Sequence, residues 1–133
     1  MPVYVTDTHP LVWFARGAHT RLSRRVLRIF EAAMRDEALI YVPAAALWEI
    51  GILHKTGHID LREPFYRWSE RLLARRGFDL AAHDARIINQ SLAYGFTEDI
   101  FDAAITATAG VLDLPLITRN SAIVEARVVT TLW

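Results

Sequence analysis

Val3-Tyr4-Val5-Thr6-Asp7-Thr8-His9-Pro10-Leu11-Val12-Trp13-Phe14 passes from a short β-prone run into a helix, with an aspartate at the junction. A strand that hands over to a helix through a single polar residue is the opening unit of a parallel α/β sheet. The same alternation continues along the chain. Leu22-Ser23 opens a helix whose apolar face is Val26, Leu27, Ile29, Phe30 and Met34, with Arg24, Arg25, Arg28 and Arg35 on the outside. Leu39-Ile40-Tyr41-Val42 reads as a strand, and Pro43 suits the first turn of a helix over Ala44–His54 that Gly57 stops. Pro64–Arg76 is amphipathic, with Phe65, Trp68, Leu72 and Leu73 inward and Gly77 at its end. Phe78-Asp79-Leu80 is a brief extended piece, followed by helices over Ala82–Tyr94 and Asp99–Val111. Leu116-Ile117-Thr118 and Val128-Val129-Thr130 are the last two expected strands. The pattern predicts an α/β three-layer sandwich, a central parallel sheet flanked by helices, in one domain over residues 1–133.

Composition agrees with a packed domain. Over half of the 133 residues are apolar (53%), enough to form a core without long disorder. Fifteen basic residues balance fifteen acidic ones, so any basic surface for nucleic acid must be local. The absence of cysteine excludes disulfides, thiolate catalysis and zinc–thiolate sites. Met1-Pro2-Val3-Tyr4-Val5 reaches Asp7 too soon for a signal peptide, and no apolar run approaches a membrane span. The expected location is the cytoplasm.

In open parallel sheets, ligands bind beyond the carboxyl ends of the strands. Asp7 and Asn120 follow expected strands, Asp99 and Asp102 lie in the first turn of a helix, and Glu49 lies in the helix after the second strand. Each acid has an ordinary explanation as well. Asp7 and Asp99 would serve as helix N-caps, Asp102 would complement a helix dipole, and Glu49 would be a solvated charge. Their neighbours argue for more. Glu49 has Ala45, Ala46, Ile52 and Leu53 at the helical-neighbour positions, and Asp7 is followed there by Pro10 and Leu11, so neither has a local basic partner. Asp102 has Glu98 and Asp99 one turn back, and acids grouped this way repel unless a cation offsets them. An oxygen-only donor set suits Mg²⁺ or Mn²⁺.

Four blocks follow one another in order: Asp7-Thr8-His9 at a strand end, Leu47-Trp48-Glu49-Ile50 on a helix, Asp99-Ile100-Phe101-Asp102-Ala103-Ala104-Ile105, and Leu114-Pro115-Leu116-Ile117-Thr118-Arg119-Asn120. Together they resemble the PIN domain family, and within it the VapC-like toxin ribonucleases of type II toxin–antitoxin modules. The resemblance implies an endoribonuclease that hydrolyses RNA phosphodiesters with metal-activated water. Asp7, Glu49 and Asp102 would form the acidic metal site, with Asp99 as an auxiliary acid and Thr8, Thr118 and Asn120 in support. Asn120 departs from the fully acidic pattern and removes one negative charge. One Mg²⁺ or Mn²⁺ is therefore expected in the free protein, a second requiring the substrate phosphate. The resemblance further implies an antitoxin that fills an apolar groove, and a homodimer.

Arg119 and Arg16 are the expected RNA phosphate contacts, with Arg21, Arg24 and Lys55 as weaker candidates. His9 and His54 read either as site residues or as surface and packing histidines. Trp13, Trp48, Trp68 and Trp133 read as core or interface residues, although Trp13 and Trp48 lie near the acids in sequence. Two rival functions stay open. One is a phosphoryl-transfer or receiver domain with the phosphoryl group on Asp7 or Asp102; His9 and Thr8 stand where its second acid should be. The other is a PIN-like domain that binds RNA or an antitoxin without cutting, because Asn120 has replaced an acid.

Overall fold

The computed structural model describes residues 1–133. Five strands form one sheet, β1 (Val3–Thr6), β2 (Leu39–Pro43), β3 (Phe78–Ala81), β4 (Leu116–Ile117) and β5 (Thr131–Leu132). Seven helices connect them: α1 (Thr8–Ala15), α2 (Arg24–Met34), α3 (Ala44–Lys55), α4 (Phe65–Leu73), α5 (Ala85–Ala93), α6 (Ile100–Leu112) and α7 (Ser121–Ala126). The strand order is β3-β2-β1-β4-β5 and every pairing is parallel. The expected central parallel sheet flanked by helices is what the chain adopts. A receiver domain would have the order 2-1-3-4-5, so this topology removes the receiver form of that rival.

β1 is the middle strand, and its buried Val5 and Thr6 join Ile40, Val42, Leu116 and Ile117 in the core. The chain first builds outward from β1 to β2 and β3, then crosses back to add β4 and β5 on the other side. The carboxyl end of β1 is thus where the strand order reverses, the place in such sheets where a crevice opens. No helix is long and apolar enough to cross a membrane.

Side chains at helix starts set several boundaries. Ser23 caps α2 by accepting from the Val26 N–H (3.0 Å), and Asp84 caps α5 by accepting from the Ile87 N–H (3.0 Å). The Asp84 cap explains why α5 begins at Ala85 rather than Ala82: β3 runs on to Ala81 in register with Pro43. The last strand lies at Thr131–Leu132, beyond the expected Val128–Thr130, because Thr131 and Leu132 are the residues that pair with Leu116 and Ile117. The six-residue α7, capped by Asn120, has too short a periodic pattern to be read from sequence. Met34 is exposed rather than part of the core face, whereas Val26, Ile29 and Phe30 are buried as expected.

Gly77 plays a different part from the expected one. α4 ends at Leu73, four residues earlier. At Gly77 the chain passes so close to α2 that a Cβ would lie 1.9 Å from the Ala33 carbonyl oxygen. The Gly77 carbonyl also accepts from the Ile40 N–H (2.8 Å), which starts the β2–β3 ladder. Gly77→Ala must therefore move backbone rather than a side chain. The expected loss is about 1–3 kcal/mol of unfolding free energy, read by urea denaturation; an unchanged midpoint would contradict this close approach.

Candidate metal centre

Asp7 leaves the end of β1 and caps α1, so its backbone is committed twice over. Its side chain is committed as well. Oδ1 accepts from the Thr8 N–H (2.8 Å), and Oδ2 accepts from the Thr118 hydroxyl (2.7 Å), which arrives from the end of β4, 111 residues away. At 7% exposure this carboxylate is buried. Burial raises its pKa above 3.8, and the two hydrogen bonds oppose that rise.

The other acids face the same crevice from α3 and α6. Glu49 projects from α3, and the Thr8 hydroxyl donates to its Oε1 in a short hydrogen bond. Its pKa is raised chiefly by burial and further by Asp7 and Asp99, with the Thr8 bond acting in the opposite sense. Asp99 caps α6, its Oδ1 accepting from the N–H groups of Phe101 (2.8 Å) and Asp102 (3.1 Å). Asp102 sits one turn along α6, half-buried, with the Asn120 amide donating to its Oδ2 (3.3 Å). Burial first, then the charges of Asp99, Asp7 and Glu49, push its pKa up to about 6. Asp7 and Asp99 each cap a helix and each line the crevice.

Thr118 and Asn120 link the two most perturbed aspartates. The Thr118 hydroxyl donates to Asp7 and accepts from the Asn120 N–H (3.1 Å), while the Asn120 amide donates to Asp102. Asn120 Oδ1 is occupied with capping α7 through Ala122 and Ile123 (3.0 and 3.3 Å). That leaves the NH₂ group for Asp102. An ionised carboxylate here would face Asp102 as a fifth acid with no proton to donate.

Asp7, Glu49, Asp99 and Asp102 line one cavity of about 330 Å³ with His9, Pro10, Trp13, Arg119 and Asn120. The chain's ion pairs are Arg35–Glu37, Arg71–Glu63 and Arg76–Asp36, and none involves these four acids. The carboxylates share the cavity without closing on a point, and no three acidic or imidazole groups form a finished cage. The donors are all oxygen, the choice of a hard divalent ion, and the supporting hydrogen bonds leave lone pairs free on each carboxylate. The residue set fits Mg²⁺ or Mn²⁺.

The remaining candidates divide. Arg119 reaches the cavity, with its guanidinium over the rings of Trp13 (4.8 Å) and Trp133 (5.5 Å). Arg16 does not: it lines a separate depression with Asp60, Glu63 and Trp68. His9 is exposed at the cavity rim, 5.8 Å from the Trp13 ring. His54 serves the backbone instead, accepting from the Leu61 N–H (3.3 Å). Trp68 is core, and Trp48 is 58% exposed, edge-on to Phe101. Sequence reasoning missed Trp133 as a neighbour of the site. Its only signal is the register of β5 on β4, which places the residue after Leu132 beside the Thr118–Arg119 turn.

Four carboxylates without a basic partner thus gather at the switch point of a parallel α/β sheet. The sequence matches the PIN domain over residues 4–128, and the chain belongs to that family, whose members are generally nucleases. Solved structures share the fold at low identity. A toxin–antitoxin complex from Klebsiella pneumoniae is 21% identical with a TM-score of 0.63, covering 96% of both chains. VapBC2 from Rickettsia felis, bound to a DNA fragment from its promoter, is 14% identical with a TM-score of 0.71, covering 98% of both. FitAcB from Neisseria gonorrhoeae is 17% identical with a TM-score of 0.61, covering 98% of this chain and 96% of its own. No curated protein sequence matches the chain.

The raised Asp102 pKa has a consequence for stability. Unfolded, Asp102 ionises near 3.8; folded, near 6, so between these values the folded state binds more protons. Stability from this group is thus present at low pH and lost as pH rises through about 6. Asp102→Asn should stabilise the metal-free protein at pH 7.5 by about 1 kcal/mol, after discounting for half-exposure. The gain should vanish near pH 4. Denaturation at both pH values checks this, and destabilisation at pH 7.5 would contradict it.

Proposed function

We propose that the chain is a divalent-metal-dependent endoribonuclease acting as the toxin of a toxin–antitoxin pair. The observation that carries the nuclease reading is the cluster itself: four carboxylates in one cavity, none paired with a base, one of them raised to about pH 6 by burial and its acidic neighbours. Asp7 and Asp102 would hold one Mg²⁺ or Mn²⁺, with Glu49 as a third ligand or beside it. The ion, when bound, offsets negative charge at a phosphodiester and acidifies a water for attack on phosphorus. Thr118 and the Thr8 N–H hold the Asp7 carboxylate in one orientation, so little motion is needed when it binds. Glu49, steadied by Thr8, orients the attacking water or takes its proton. Asp99 adds charge, Asn120 aligns Asp102, and Arg119 contacts an RNA phosphate.

The toxin reading is supported by the fold shared with the toxin–antitoxin complex from Klebsiella pneumoniae. A second cavity, about 320 Å³ and mostly apolar, is lined by Leu11, Phe14, Met34, Trp68, Leu72 and Phe78, with Arg71 and Arg75 at its edge. We assign an amphipathic antitoxin segment to it. Exposed apolar residues elsewhere, Leu92 and Trp48 among them, suit the second copy of a homodimer in the cytoplasm.

The test is Mn²⁺-dependent cleavage of a structured RNA. Asp7→Asn and Asp102→Asn should each lower the rate by about 10²–10³-fold, the scale of losing one preorganised electrostatic group. Wild-type activity in both variants, or cleavage unaffected by removing metal, would overturn the assignment.

A further inference from the structure

Arg119 presents a contradiction that electrostatics alone does not resolve. Its guanidinium lines the same cavity as Asp7, Glu49, Asp99 and Asp102, yet it forms an ion pair with none of them. A flexible cation beside four carboxylates should fall onto the nearest one. Two indoles account for its position. The guanidinium carbon lies 4.8 Å from the Trp13 ring centre and 5.5 Å from that of Trp133, and the two rings meet edge to face at 6.3 Å and 79°. Planar, weakly hydrated guanidinium groups stack well on indole faces. The two tryptophans come from opposite ends of the chain: Trp13 from α1, and Trp133 from the residue after β5. Arg21 lies over Trp13 as well, at 5.2 Å, so this indole carries two cations at the mouth of an acidic cavity.

We propose that Trp13 and Trp133 clamp Arg119 away from the carboxylates, leaving the acids open to a divalent cation and the guanidinium open to a phosphate. Trp13 and Trp133 are positioning residues. Without them Arg119 pairs with the acids and competes with the metal from within the chain. The inference rests on the metal-dependent reading of the cavity.

Calorimetric titration of the full chain with Mn²⁺ at pH 7.5 tests it without relying on activity. Trp13→Ala should weaken Mn²⁺ binding roughly 3- to 30-fold, the factor corresponding to the usual strength of a cation–π contact. Trp13→Phe, which keeps an aromatic face, should retain most of the affinity. Adding Arg119→Gln to Trp13→Ala should return the affinity to that of Arg119→Gln alone, since no cation remains to compete. Circular dichroism checks folding, and Trp133→Ala at the last residue reads the same effect if Trp13→Ala does not fold. A loss that persists undiminished in the double variant, or a folded Trp13→Ala that binds like wild type, overturns the clamp alone. Wild type that binds no Mn²⁺ overturns the metal reading, and the clamp with it.

Discussion

Asp7 is held between the end of the middle strand and the first turn of α1, with both carboxylate oxygens occupied and almost no contact with water. Most of the site is arranged around that restraint. The Thr118 hydroxyl that satisfies one oxygen ties β4 to β1 at the level where the crevice opens. The same hydroxyl receives the Asn120 N–H, and Asn120 reaches across to Asp102. Thr8, next to Asp7, holds Glu49. One buried aspartate is thus connected through short polar links to the other acids of the cavity, and the rigid sheet beneath supplies the common frame.

The arrangement works against stability. Burying carboxylates raises their pKa, and grouping them raises it further, so the fold disfavours the charged form of each. A protein selected for stability alone would bring a lysine or arginine against each. The basic residues that do form ion pairs lie elsewhere, at Glu37, Glu63 and Asp36, and the one guanidinium lining the cavity stacks on indoles. Perturbed, unpaired acids collected in a crevice are the mark of a functional site rather than a structural network.

Much of this was legible in the sequence because the signals were local. Strand-to-helix alternation announced the parallel sheet, and the lack of bases one turn from Glu49 and Asp7 announced that no ion pair within a helix holds either acid. Asp99 and Asp102 showed their repulsion through spacing alone. The long-range features were not legible. Nothing near Thr118 indicates that it donates to a residue 111 positions away, and nothing near Trp133 indicates an arginine beneath it. Gly77 looked like a helix terminator, since a glycine needed for close backbone approach to Ala33 has the same local appearance. Arg16, expected beside Arg119 as a phosphate contact, follows the end of α1 and lines another depression.

The most direct measurement of the central claim is a crystal structure of the chain grown with Mn²⁺, with anomalous scattering recorded to locate the metal. The expected result is one manganese peak among Asp7, Glu49 and Asp102, with Arg119 still on its indoles. A cavity without a peak at millimolar Mn²⁺, or carboxylates drawn instead onto Arg119 or another base, would contradict the account.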